Sequence, residues 1–254
     1  MDIFQSVVLG AIQGITEFLP ISSSGHLVLF QKFFNLKEPP IFFDTTVHAA
    51  TLLAVVFYFR KDIFEIVFNI KKNAKLIFYL ALGTLPAAAF GLLFKSQIEK
   101  SFNSVFLLST GFFITAVIIF ITKFYKKTGK SIEQLNWLDS LIVGIFQAVS
   151  ILPSISRSGA TISSAIFMGA DRNTAFKFSF LLAVPAIFGA MVLQIFDINE
   201  VSQNELLASV AGFLPAMIFG FLSLKFLGKY MANDKFSLFA YYCLFLGFIS
   251  LLLV

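Results

Sequence analysis

Charge is what this sequence has least of. Only 13% of its 254 residues are Asp, Glu, Lys or Arg, where soluble domains carry about 25%. Cysteine occurs once, at Cys243, which excludes an internal disulfide. In a late apolar run it reads as a small buried residue. With two histidines besides, no Cys/His cluster suggests zinc. There is no Walker-type phosphate loop and no basic leader: the N-terminus has Asp2, and Glu17 interrupts the first apolar stretch. The apolar runs do not alternate with period two, which excludes barrel strands.

What is present is apolar bulk. Hydrophobic residues make up 58% of the chain, 35 of them Phe, and the mean hydropathy is +0.88. Such a chain needs a bilayer as solvent. Its spans should be helices, because in lipid each backbone polar group must be satisfied within its own segment. The fold class expected is therefore an all-α polytopic membrane protein. Six stretches are long enough to span: about 43–59, 76–94, 105–122, 175–196, 206–228 and 236–254. Two others, about 3–35 and 138–169, are broken by Pro, Ser and Gly.

The net charge of +5 sits mostly in loops and indicates topology, with no nucleic-acid partner expected. Arg60, Lys61, Lys71, Lys72 and Lys75 follow the first span. Lys123, Lys126, Lys127 and Lys130 follow the third, and Lys225, Lys229 and Lys235 lie around the last connection. The segment 197–205 has Asp197, Glu200 and Glu205 and no base, and 95–104 has only Lys95 and Lys100. The positive-inside rule puts the three basic loops in the cytoplasm. Trp137 reads as an interfacial anchor.

The halves repeat. At an offset of 134, Gly10 and Gln13 fall on Gly144 and Gln147, and Ile21–Gly25 fall on Ile155–Gly159. At an offset of 129, Gly83, Leu85, Pro86, Ala87, Phe90 and Gly91 fall on Gly212, Leu214, Pro215, Ala216, Phe219 and Gly220. Each half holds three full spans, an odd number, so the second half is expected upside down relative to the first. The expectation is one membrane domain over 1–254, with repeats of about 1–125 and 135–254. It is an inverted-topology repeat of six transmembrane helices plus two re-entrant helical hairpins. The first hairpin would enter from outside around Pro20–Gly25, the second from the cytoplasm around Pro153–Gly159.

The tips carry the chemistry. Gln13 and Glu17 are four apart and share a helix face. Glu17 is an ionisable group in an apolar segment, by default a functional residue or a partner of another buried charge. Ser22, Ser23, Ser24 and Gly25 form a turn opening onto a helix, whose N–H groups suit an anion. His26 is the acid/base group beside them. The second tip offers Ser156, Arg157, Ser158 and Thr161. Arg157 is the only charge between Asp139 and Asp171, and its guanidinium matches phosphate oxygens or pairs with Glu17. His48 lies early in a span, in the core or on the cavity. Gly83/Pro86 and Gly212/Pro215 read as kinks and close-packing positions. One carboxylate, one His, one Arg and many hydroxyls suit a phosphate or diphosphate with a hard divalent cation such as Mg²⁺.

The stretch Gln13-Gly14-Ile15-Thr16-Glu17-Phe18-Leu19-Pro20-Ile21-Ser22-Ser23-Ser24-Gly25-His26-Leu27 resembles the first signature of undecaprenyl-diphosphatases of the bacitracin-resistance type. Pro153–Thr161 resembles the second, and Asp171–Pro185 also fits. The resemblance covers essentially the whole chain. It implies hydrolysis of undecaprenyl diphosphate to the monophosphate, recycling a cell-wall lipid carrier, in the bacterial inner membrane with the site facing the periplasm. It also implies a divalent cation, and functional residues at Gln13, Glu17, Ser23, His26, Ser156, Arg157 and Thr161. Gln13 departs from the second Glu of many relatives. Another membrane phosphatase family with Ser-Gly-His and Ser-Arg motifs would need His at position 163, which is Ser163.

The mechanism expected has Arg157 and tip N–H groups on phosphate oxygens, Glu17 with Gln13 holding Mg²⁺ or Ca²⁺, attack by Ser23 or water, and His26 moving the proton. Ser22, Ser24, Gly25, Ser156, Ser158 and Thr161 would help bind substrate. The rival is a polyprenyl-phosphate flippase on the same inverted-repeat site. A homodimer is left open.

Overall fold

The computed structural model describes residues 1–34, 41–125, 129–198 and 201–252. Lys126, Lys127, Glu200 and the last two residues of the sixth stretch lie outside the described residues. The described chain is all-helical, with twelve α-helices. They are α1 (Ile3–Phe18), α2 (Ser23–Phe33), α3 (Ile41–Tyr58), α4 (Arg60–Phe68), α5 (Ile70–Leu93), α6 (Lys95–Ser101), α7 (Val105–Ile121), α8 (Trp137–Val149), α9 (Arg157–Phe167), α10 (Arg172–Ile195), α11 (Gln203–Ala232) and α12 (Phe239–Leu252).

Five helices are long and apolar enough to cross a bilayer: α3, α5, α7 with its 3-10 extension, α10 and α11. They match the first five expected spans. The sixth stretch is shorter, a 3-10 turn at Phe236–Leu238 running into α12. The basic connection after α3 is helical rather than looped, and α5 starts at Ile70. Lysines are good helix formers, so the backbone stays helical where the apolar run ends.

Each broken segment is helix, turn, helix. α1 and α2 flank 19–22, and α8 and α9 flank 150–156. The turns end alike. Ser22 caps α2 by accepting from the Gly25 N–H at 3.3 Å, and Ser156 caps α9 by accepting from the Gly159 N–H at 3.1 Å. In both, the capping hydroxyl also meets the serine two residues on at 3.2 Å. Each turn contains a serine with left-handed φ, Ser22 at 67° and Ser154 at 60°. For residues with a Cβ this costs about 1–2 kcal/mol.

The segments that repeat in sequence also pack in matched pairs. α1 lies along α11 and α8 along α5. A Cβ on Gly10 would overlap the Gly212 carbonyl, and one on Gly144 would overlap the Gly83 carbonyl. Those contacts are images of each other under the two offsets. Gly10→Val is therefore expected to push α1 off α11 and destabilise by about 1–3 kcal/mol. Thermal unfolding in detergent measures this, with Gly189→Ala as the neutral control, since nothing lies within 4 Å of a Cβ there.

Polar contacts sort the connections to two ends. Lys75 donates to the Glu133 carbonyl at 2.8 Å, Lys177 pairs with Asp62 at 2.5 Å and Arg172 with Asp234 at 3.0 Å. These tie the three basic connections together. Elsewhere Lys95 pairs with Asp197 at 2.5 Å, and Met1 lines one cavity with Ser202 and Glu205. The apolar core joins Phe18 of α1, Phe59 after α3, and Phe176 and Phe180 of α10, with Phe18 edge-on to Phe180 at 5.6 Å.

Candidate active site at the two turns

The α1–α2 and α8–α9 turns meet. A Cβ on Gly25 would strike the Ser154 hydroxyl and the Phe112 ring, and Ser158 donates to the Leu19 carbonyl at 3.1 Å. α7 braces the second turn through Thr115, which donates to the Ser154 carbonyl at 3.2 Å and accepts from the Ser156 N–H at 3.0 Å. α12 braces the first, with Cys243 donating to the Pro20 carbonyl at 3.3 Å.

At the junction Arg157 Nη2 donates to Glu17 Oε1 at 2.7 Å. The other carboxylate oxygen, Oε2, accepts from the Ser23 hydroxyl at 2.7 Å and from Gln13 Nε2 at 3.1 Å. The Glu17 and Arg157 side chains are 8% and 15% exposed, so the pair is nearly dry yet reachable. Such a pair costs desolvation that only close geometry and further hydrogen bonds offset. Glu17 has both. Arg157 keeps one buried nitrogen, Nη1, without a partner, and Gln13 Oε1 is likewise buried and unpartnered. His48 donates through Nδ1 to the Asp44 carbonyl at 2.9 Å and lies within electrostatic range of Glu17 and Arg157.

The structure thus gathers Gln13, Glu17, Ser23 and Arg157 at one point. Of the residues expected to touch substrate, Ser24 is partly exposed. Ser22, Ser156 and Ser158 are buried in the contacts above. Thr161 is fully buried, donating to the Arg157 carbonyl at 2.8 Å and meeting the Ser179 hydroxyl at 2.6 Å. The Gly25 and Gly159 N–H groups, expected for an anion, are taken by their own capping serines.

His26 is 5% exposed. Its Nδ1 lies 2.7 Å from the Ser22 carbonyl and its Nε2 2.8 Å from the Tyr242 hydroxyl. The group in contact with the Ser23 hydroxyl is Glu17. A direct proton transfer between His26 and Ser23 would need a contact that this geometry does not hold. Tyr242 and Ser179 are not among the site residues expected from the sequence. A tyrosine in an apolar span needs a partner for its hydroxyl, and that signal could have singled out Tyr242.

The repeat separates two kinds of residue. Gln13, Ser22, Ser24 and Gly25 have the same residue at the matched position: Gln147, Ser156, Ser158 and Gly159. Glu17, Ser23 and His26 do not: their counterparts are Ile151, Arg157 and Ala160. The matched serines and glycines shape both turns. The unmatched residues make one charged site out of two similar scaffolds.

Comparison with known proteins agrees over the full length. An undecaprenyl-diphosphatase of Carboxydothermus hydrogenoformans is 42% identical, covering 100% of this chain and 98% of the relative. Undecaprenyl-diphosphatases of Elusimicrobium minutum and Methanococcus maripaludis are 40% and 39% identical, covering 99% and 98% of this chain and 98% and 99% of those relatives. Residues 6–249 match the family described as bacitracin resistance protein BacA, and the chain belongs to that family.

Proposed function

We infer that this chain is an undecaprenyl-diphosphatase, releasing phosphate from undecaprenyl diphosphate to give undecaprenyl phosphate and so recycling the lipid carrier. The observation that carries the reading, beside the full-length relatives, is the Glu17–Arg157 pair with the Ser23 hydroxyl on its carboxylate.

The proposed architecture is one membrane domain of two inverted repeats, about 1–125 and 135–254. Six helices span and the α1–α2 and α8–α9 segments are re-entrant. Length supports this: α1 and α8, with 16 and 13 residues, reach about 24 and 20 Å, whereas the 3-10 turn and α12, with 3 and 14 residues, reach about 27 Å together, nearer a hydrocarbon core of about 30 Å. α1 starts near Ser202 and Glu205, whereas α8 starts beside Lys130, which pairs with Asp139 at 2.9 Å. With the basic connections in the cytoplasm, the site opens to the periplasmic side of the inner membrane.

The diphosphate draws Arg157 off Glu17, because a phosphate offers more oxygens for its fork. Arg157 Nη1, unpartnered at rest, takes a phosphate oxygen as well, and Ser24 lines the entry. The freed carboxylate accepts the Ser23 proton as Ser23 Oγ attacks the terminal phosphorus. The bridging P–O bond breaks and its electron pair leaves with undecaprenyl phosphate. Water then hydrolyses the phosphoserine. Arg157 stabilises the charge that develops on the transferred group.

Among the described residues no three His, Cys, Asp or Glu side chains converge as a metal cage. The buried, unpartnered Gln13 Oε1 beside Glu17 nonetheless fits a hard cation that draws its other ligands from substrate. Mg²⁺ or Ca²⁺ held there would neutralise phosphate charge. The test is phosphate release from a polyprenyl diphosphate by protein purified in detergent, where there is no membrane to transport across. Release is expected with Mg²⁺ or Ca²⁺ and is expected to stop on chelation. No release with either cation would sink the hydrolase reading in favour of a flippase; release that survives chelation would remove the cation alone.

A further inference from the structure

We propose that Tyr242, on α12 and outside both turns, is a positioning residue for the reaction and acts through His26. The proposal rests on the phosphatase reading above. A carbonyl oxygen can only accept, so the 2.7 Å contact with Ser22 O requires the proton on His26 Nδ1. In the neutral ring Nε2 is then the acceptor, and it faces the Tyr242 hydroxyl at 2.8 Å. The two rings are also stacked, 5.7 Å apart and 6° from parallel, and Phe112 closes the His26 edge at 6.0 Å. The Ser22 carbonyl thus fixes the tautomer, and Tyr242 donates to Nε2 and holds the ring's orientation.

The fixed Nδ1–H holds the carbonyl of Ser22, whose φ of 67° is the strained point of the first turn. The next residue is Ser23. A chain of contacts therefore runs from Tyr242 through His26 and Ser22 to the hydroxyl that meets Glu17. The second turn has Ala160 where the first has His26, and its capping serine has φ −68°. In the second turn the left-handed serine is Ser154, and its carbonyl accepts from Thr115 at 3.2 Å, so of the two turns the first is the one held by a histidine.

The experiment uses Tyr242→Phe, which keeps the stacked ring and removes the hydroxyl. Phosphate release is expected to show kcat lowered about tenfold, the scale of a small misplacement of a reacting group, with KM within about twofold. Because the chain has only two histidines, ¹⁵N-histidine spectra can report the ring directly, with His48→Gln for assignment. The intact protein is expected to show His26 as the Nδ1–H tautomer, and Tyr242→Phe to shift its Nε2 resonance. An unchanged kcat, or His26 signals indifferent to the substitution, would overturn the role of Tyr242. An unaltered protein that releases no phosphate would instead overturn the phosphatase reading, and the spectra would still report whether Tyr242 holds His26.

Discussion

Arg157→Ala is expected to cut phosphate release by about 10³-fold or more, the scale seen when an arginine that stabilises a transferring phosphoryl group is removed. Two losses combine. The phosphate loses its bidentate partner, and Glu17 is left as a nearly buried charge without its 2.7 Å counter-ion. The second loss acts on stability, where breaking one side of a buried pair costs about 3–5 kcal/mol. Thermal unfolding separates the two effects. Removing both charges, in Glu17→Gln with Arg157→Gln, is expected to recover most of the stability and none of the activity. Arg157→Lys keeps the charge and loses the fork, so it should hold the fold but remain a poor enzyme. Near-normal turnover in Arg157→Ala would take Arg157 out of the site.

Ser23→Ala is expected to be at least as damaging, by about 10⁴-fold or more, because removing a serine nucleophile leaves only what binding and charge stabilisation supply. Its hydroxyl already donates to Glu17 Oε2 at 2.7 Å, the arrangement that activates a serine. A labelled phosphoserine at position 23 should be trapped on acid quench of the intact protein. In a first turnover quenched before hydrolysis of that intermediate, undecaprenyl phosphate should appear in a burst with no matching inorganic phosphate. A Ser23→Ala variant retaining a tenth of the activity, with no trapped phosphoserine, would make water the nucleophile and Glu17 its base.

The long helices were legible because hydropathy is a local property. The expected stretch 105–122 and α7 (Val105–Ile121) agree almost to the residue. α5 begins six residues before the expected 76, since the lysines that end an apolar run do not end a helix. The last stretch came out as a 3-10 turn and a short helix for a reason hydropathy does not carry: backbone geometry at Phe236–Leu238. At the site, Glu17 and Arg157 were conspicuous as charges in apolar surroundings, and their pairing was one of two readings open for Arg157, under the rule that buried charges find partners. The fate of the hydroxyls was not legible. Ser22 and Ser24 read the same in sequence, yet one is buried as a helix cap and the other is partly exposed. Tyr242 lies 216 residues from His26, and no local pattern reports such a contact.

The close backbone contacts at Gly10 and Gly144 bear on how the molecule can move. α1 is fastened to α11 and α8 to α5, so each half has its opening helix seated in the other half. Halves interlocked in this way resist rocking as two separate blocks. A chain severed between residues 125 and 135 would give two pieces that each lack the surface their own helices were shaped to meet.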